Sequence, residues 1–550
     1  VKTRNQALET AKKRQFDLVV IGGGIAGAGI AQNAASRGLS VCLLEKEDFA
    51  SGTSSRTTKL IHGGLRYLEQ LHIMLTKELC QERELLATLA PHLVRDLSMI
   101  MPIVKDNWFF GIKAELGLTL YDLVSWSHTH NRHERLSKQE VLAAAPALSS
   151  DIIAGGLRFH DCITDDARMV LEVIKSATKD GAIAINYMKV VGFAKDGNQI
   201  VGVNCHDRID GSELTIAASA FVNATGIWAD EVFQMLEANW KPQVAPSKGI
   251  HIVVPGSALE TNSALFLPTK DGRYCFVIPW QKALMIGTTD EAYSGNLDSP
   301  MPNSDEIDYL LQVTNGFLSG RKLNRSDIIG SFAGLRPLIK PKNGDMTNTS
   351  NMSREHLIFE TDDGVVGLIG GKLTNYRLMA NQVVDKLIPK FPQLKDKPSR
   401  TQKIMLGGFV DKNDFLAQTA SILAKGRKLE IDPATIDHLL ASYGQEALII
   451  LDAVEADGKL NERICPDFPP IYAEVPFCVN NEMAVSLEDL LMRRLRLGIL
   501  NQRQCLEAAP RVARMMQQVL GWDNKRLQGE LEGLDNTLIA HIEKAQATAK

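Results

Sequence analysis

At 550 residues the chain is too long for one hydrophobic core and calls for two to four domains. With 45% hydrophobic and 23% charged residues it is neither disordered nor fibrous. A formal net charge of -4 supplies no overall surplus of Lys and Arg, so nucleic acid is not an expected partner.

In chain order, residues 1–15 ("VKTRNQALETAKKRQ") are too polar for the core of a secretion signal and are expected as a solvated N-terminal arm. Residues 16–46 then read strand, glycine turn, small-residue helix, strand: one βαβ unit. In its turn "GGGIAG", Gly22, Gly24 and Gly27 fit G-x-G-x-x-G, where missing side chains let a pyrophosphate approach the helix N-terminus. Glu45 closes the next strand at the place where such folds put a carboxylate for a ribose hydroxyl. This fingerprint predicts a dinucleotide site without choosing between NAD and FAD.

Residues 69–96 have helical spacing, and 107–126 ("NWFFGIKAELGLTLYDLVSW") form an aromatic, amphipathic stretch broken by Lys113, Glu115 and Asp122. The expectation for that stretch is a core helix pair rather than a membrane-facing surface. From about 183 the pattern alternates as in strands, "AFVNATG" (220–226) reads as a buried strand ending in a glycine, and later β segments could supply a sheet that covers the cofactor. A second loop at 367–388 runs strand, Gly370-Gly371-Lys372, helix. A helix N-terminus plus a lysine suits the negative charge that reduced flavin gathers, which favours a flavin that stays bound between turnovers. Polar, proline-marked residues 390–403 are a linker candidate, and the chain is helix-rich from about 410 to its end. No run of about eighteen apolar residues occurs, so no spanning segment is expected. The eight cysteines have no metal-ligand spacing, so they are expected as reduced, mostly buried thiols and no metal site is expected.

Several motifs in one order carry a resemblance: "FASGTSSRTTKLIHGGLRYL" (49–68), then "DDAR", "NATGIW", "KGIHIVVP", "IGTTD", "AGLRPL" and "GGKLTNYR". The chain resembles the FAD-dependent, quinone-linked glycerol-3-phosphate dehydrogenases over residues 16 to about 395, and its tail resembles that family's C-terminal domain. The resemblance implies an α/β fold like that of D-amino-acid oxidase. It has a Rossmann-type FAD-binding domain interleaved with a β-rich substrate cap (16–395, cap mainly about 85–160 and 235–335) and an all-α C-terminal domain (396–550). It implies FAD as cofactor and glycerol 3-phosphate as substrate.

Such a substrate demands a grip on a dianion, orientation of a secondary alcohol, and separate acceptors for hydride and proton. By resemblance Arg336 is the first candidate for the phosphate and Arg354 the second, a role that suits a guanidinium because it forks two oxygens and stays charged. His251 is the candidate base, and Lys372 the group that stabilises reduced flavin or pairs with substrate. By resemblance Arg66 and Tyr67 face the substrate, and Thr288 and Thr289 could bond it, with Asp290 fixing the loop. Residues expected at the cofactor are Gly22, Gly24, Gly27, Glu45, Ser54, Ser55, Lys59, His62, Gly63, Gly64, Ala224, Thr225, Gly226, Gly371, Lys372, Leu373 and Thr374.

The resemblance offers two electron acceptors, membrane quinone or dioxygen. The compact spacing from "NATG" to "AGLRPL" favours quinone, since the oxidase branch carries an insertion in its cap. That implies a cytoplasmic protein held peripherally on the inner face of the cell membrane. A glycerol-3-phosphate oxidase, another FAD-dependent amine or hydroxy-acid oxidase, and a non-catalytic FAD scaffold are the alternatives. The helical tail is read as a stability or dimerisation module, which allows a homodimer.

Overall fold

The computed structural model describes residues 3–69, 72–105, 108–125, 132–269, 272–341 and 355–547. Strand β1 (Phe16–Ile21) runs through the glycine turn into helix α2 (Ile25–Ser36), which follows the N-terminal helix α1 (Arg4–Lys12), and strand β2 (Val41–Leu44) pairs parallel to β1. β1 is buried on both faces, as its unbroken apolar run requires. On its other side lie strands Glu213–Asn223 and Val365–Gly370, both parallel, and the edge beyond β2 is Ile183–Ile185. The sheet is therefore assembled from segments hundreds of residues apart, and the loops leaving its carboxyl ends meet at one crevice.

A second, ten-stranded sheet draws its strands from residues 60–163 and 244–339. Its spine is the long pairing of Val244–Pro255 with Gly330–Ile339, which sets His251 opposite Phe332 and Ser247 opposite Arg336. Residues 411–547 are mainly helical and form a third body, whose buried side chains share one apolar core with the second sheet.

The N-terminal segment departs from the expected solvated arm. It is a helix with a Thr3 capping box, its Ala7, Leu8 and Ala11 are buried, and Arg4 donates to Asp207 at 2.8 Å and to the Asn186 carbonyl. Spaced four apart, Ala7 and Ala11 form a narrow apolar stripe that charged neighbours hide from a composition reading. Helix α5 (Trp108–Ser125), the fifth helix after α3 (Leu65–Glu69) and α4 (Ile73–Leu89), also departs from expectation. Leu118 and Tyr121 are buried, but Ile112, Leu116 and Leu123 on its opposite side face solvent, as do Ile73 and Met74 on α4. It is one layer thick rather than core. The 390–403 segment is pinned by Arg37, which donates to the carbonyls of Leu394 and Lys397 and to Asp385. All eight cysteines are buried and unbridged.

The helical domain docks through buried charge. Arg493 and Arg494, on a π-helical turn at Asp489–Arg494, converge on Asp48 just after β2, at 2.5 to 2.8 Å. Arg168 of the "DDAR" motif binds Glu482 through two bonds of 2.7 Å and lies 4.4 Å over the Tyr443 ring. Burial alone would raise the Asp48 carboxyl, but Arg494 and Arg493 outweigh it and hold it below the usual range. Removing one member of such a cluster leaves the others charged and dry, which costs more than the cluster itself contributes. Asp48→Ala is thus expected to destabilise the docked helical domain by about 3–5 kcal/mol, seen in calorimetry as an earlier unfolding transition; an unshifted thermogram contradicts this.

Candidate active site

Two adjoining cavities, of about 160 and 310 Å3, share Thr53, Thr57, Pro337 and residues 370–373 in their walls. The smaller one is built on the glycine turn. Gly22 and Gly24 line it together with Glu45, Ser54, Ala224, Thr225, Gly226 and Trp228. Gly22 holds φ +110, open to glycine at little cost, and a Cβ on it would stand 2.7 Å from the Ala224 carbonyl. Gly27 does not line the cavity; a Cβ there would stand 1.8 Å from the Gly22 carbonyl, so its bareness lets helix α2 close against the turn. Glu45 accepts from the Gly23 and Glu47 amides at 2.7 and 2.9 Å. Burial pushes its carboxyl up to about 7, against the pull of the Gly23 N–H. The Trp228 Nε1 is a buried donor with no partner in the protein, and Lys46 Nζ sits 4.1 Å over its ring. Bare glycines at a helix mouth, a carboxylate at the second strand's end and an unsatisfied indole donor together fit the nucleotide half of FAD.

The larger cavity collects the chemistry. His62 and Gly64 line it from one loop, Tyr67 from helix α3 that follows, and Gly371, Lys372, Leu373 and Thr374 from another loop. The two loops are stitched by the Thr374 hydroxyl, 3.2 Å from the His62 amide and 3.3 Å from its carbonyl. Gly63 lies behind the wall: its amide donates to Tyr121 and Asp161, and a Cβ there would strike Cys80 and Tyr121. Lys372 reaches both cavities, with Nζ 4.1 Å from the Tyr67 ring centroid.

On the facing sheet, Arg336 donates to Thr288 Oγ1 and the Thr289 carbonyl at 3.1 Å and lies 3.5 Å from Asp290. His251 lines the same cavity, stacked on Phe332 at 4.8 Å between ring centroids. Burial, with Lys59 and Arg336 nearby, holds its imidazole well below the ordinary value and hence neutral. Neutrality is what a proton acceptor requires.

Besides Gly27 and Gly63, three expected residues are placed elsewhere. The Lys59 ammonium is fully buried and bound to both Asp166 oxygens at 2.8 Å and to the Ser55 carbonyl at 2.9 Å, away from the cofactor walls. Burial and Arg496 lower it to about 8, and its role is to hold the loop. Ser55 lines neither cavity and serves through its carbonyl, which accepts from Lys59 and Arg496. Thr289 turns its hydroxyl inward, donating to Glu306 and accepting from the Ile250 amide at 3.1 Å, so Thr288 is the threonine at the cavity. Both threonines follow the end of strand Ala283–Gly287, and these two bonds turn the Thr289 hydroxyl away from the cavity. Lys248, beside His251, is spent on Glu306 at 2.8 Å. Arg354 and the Arg66 side chain lie outside the described residues.

The cavity also contains groups that the sequence does not single out. Thr58 lies 3.1 Å from His251 Nε2, Asp161 is buried against Arg83 at 2.7 Å, and Arg273 donates to the Asp290 carbonyl at 3.3 Å. The phrase "KDGRYCF" puts Arg273 at a strand's start beside a glycine turn, a signal that composition alone does not separate from a surface arginine.

The FAD dependent oxidoreductase family matches residues 17–373, and the C-terminal domain of alpha-glycerophosphate oxidase matches residues 399–527. The glycerol-3-phosphate dehydrogenase of Mycobacterium leprae is 36% identical over 532 residues, covering 96% of this chain and 89% of that protein. The chain belongs to the FAD-dependent glycerol-3-phosphate dehydrogenase family. The human mitochondrial glycerol-3-phosphate dehydrogenase is also 36% identical, over 96% of this chain and 74% of its own. The X-ray structure of the Bacillus halodurans glycerol-3-phosphate dehydrogenase complexed with FAD superposes with a TM-score of 0.80 at 30% identity, covering 100% of this chain and 99% of that one. The L-alpha-glycerophosphate oxidase of Mycoplasma pneumoniae shares the fold alone, at 19% identity, a TM-score of 0.56, and 68% and 95% coverage.

FAD is thus the cofactor of the family, and this chain's glycine turn fits it. Gly27→Ala, which drives a methyl into the Gly22 carbonyl, is expected to yield a colourless protein that takes up no flavin from excess FAD; a normal flavin-to-protein absorbance ratio contradicts this.

Proposed function

We propose that this family member oxidises sn-glycerol 3-phosphate to dihydroxyacetone phosphate and hands the electrons to a membrane quinone. The observation that carries the reading is the pairing, in one cavity beside the dinucleotide site, of the Arg336 guanidinium with the neutral, buried His251 imidazole. FAD, when bound, supplies the two-electron acceptor for the hydride that leaves carbon 2. Arg336 seats the phosphate, with Arg273 close by through their shared neighbour Asp290, while His251 is the final acceptor of the alcohol's proton. Lys372 places positive charge where both the substrate and the electron-rich cofactor are anionic. Names of the similar proteins, glycerol-3-phosphate dehydrogenases of mycobacteria and of mitochondria, agree with this substrate.

The apolar face of α5 supports quinone as acceptor over dioxygen. Ile112, Leu116 and Leu123 are 43%, 67% and 65% exposed, follow helical spacing, and lie on a helix packed against α4, whose Met74 is 76% exposed. No helix among the described residues is long and apolar enough to cross a membrane. A face of this kind suits a helix lying in the lipid interface, where quinone is found.

Anaerobic addition of glycerol 3-phosphate should bleach the bound flavin, and a quinone analogue should restore it faster than air does; stoichiometric peroxide on reoxidation by air would instead favour an oxidase. Arg336→Leu should raise KM for glycerol 3-phosphate steeply, by about 100-fold or more for a lost charge-assisted pair, with the flavin spectrum intact. Unchanged kinetics remove Arg336 from the phosphate. The double variant Leu116→Glu, Leu123→Glu should stay in the supernatant when lipid vesicles are sedimented yet keep flavin bleaching by substrate, whereas undiminished vesicle binding would rule out α5 as the membrane face.

A further inference from the structure

We infer that Thr58 relays the proton between the substrate's secondary hydroxyl and His251, an inference that rests on the glycerol 3-phosphate reading above. Thr58 lines the larger cavity, and its Oγ1 lies 3.1 Å from His251 Nε2. The other ring nitrogen has no way out. Nδ1 is buried without a hydrogen-bond partner, one ring face is stacked on Phe332, and a Cβ on Gly287 would already stand 2.3 Å from Cδ2. The imidazole is therefore clamped with Nε2 as its only usable nitrogen, and Thr58 stands on that nitrogen.

Thr58 is held from both sides by one carboxylate. The Thr57 amide and hydroxyl donate to Asp166 at 2.9 and 2.8 Å, and the Lys59 ammonium donates to both Asp166 oxygens at 2.8 Å. The Lys59 amide in turn donates to Thr57 Oγ1 at 3.0 Å. Arg496 of the helical domain completes the anchor, donating to Asp166 and to the Ser55 carbonyl at 2.8 Å each. These bonds on both neighbours fix the Thr58 backbone beside the imidazole, which gives the precision a proton transfer needs.

The step balances without further reagents. The carbon 2 C–H bond breaks and its electron pair leaves with the hydride to the flavin. At the same time the substrate's O–H proton passes to Thr58 Oγ1, and the proton Thr58 held passes to His251 Nε2. A ketone, an intact threonine and an imidazolium remain. Burial, Lys59 and Arg336 keep the imidazole neutral before the step. A dianionic phosphate on Arg336 offsets one of these influences, so the ring gains basicity when substrate is present.

The test compares Thr58→Val, which keeps the shape and removes the hydroxyl, with Thr58→Ser, which keeps the hydroxyl. Flavin bleaching by glycerol 3-phosphate is followed anaerobically in a stopped-flow instrument with the FAD-loaded protein. Thr58→Val should slow bleaching by about 100-fold or more, with KM and the visible spectrum near those of the unaltered protein, and Thr58→Ser should stay within about 10-fold of it. Bleaching by Thr58→Val at the unaltered rate overturns the relay, and so does equal slowing in both variants, which would mean a packing role. If the unaltered protein is not bleached by glycerol 3-phosphate, the substrate reading itself falls, an outcome distinct from either of these.

Discussion

A carboxylate with no access to water, Asp166, ties the three bodies of this protein together. It stands at the start of the helix that follows the second sheet's strand Ile153–Ile163, and it binds Lys59 of the cofactor loop and Arg496 of the helical domain. Burial would raise its carboxyl, yet Lys59 and Arg496 outweigh that and keep it ionised. Such a cluster gives little net stability but permits only one arrangement, because any other leaves bare charge in a dry interior. The loop 53–58, which borders both cavities, takes its shape from this cluster rather than from a sheet ladder.

The same economy of charge shapes the cavity. Cations that serve architecture are neutralised locally: Lys59 by Asp166, Lys248 by Glu306, Arg83 by Asp161. Arg336 and Lys372 line the cavity itself, with Arg336 donating to Thr288 and the Thr289 carbonyl and lying 3.5 Å from Asp290. His251 stays neutral beside these cations because it is sealed between Phe332 and Gly287.

What was legible in the sequence was whatever local spacing dictates. The glycine turn, Glu45 and the Gly370-Gly371-Lys372 loop declare themselves because each needs bare backbone at a fixed offset from a strand. His251 and Arg336 were readable from their motifs, and both line one cavity. Orientation was harder to read. Lys59 and Thr289 sit in the right motifs but face inward, because partners more than one hundred residues away (Asp166) or on another helix (Glu306) claim them. Thr58 stands inside the quoted run 49–68, but nothing in that run separates its hydroxyl from those of its neighbours. Helix α1 was hidden because two alanines bury as well as two leucines in a tight stripe, and the outward face of α5 was hidden because amphipathicity does not say which side meets protein.

The most direct measurement is a crystal structure of the FAD-loaded protein soaked anaerobically with dihydroxyacetone phosphate. The account predicts phosphate on Arg336, the carbonyl oxygen within hydrogen-bond reach of Thr58 or His251, and carbon 2 against the flavin ring. Phosphate bound elsewhere, or a carbonyl turned away from both residues, would contradict it.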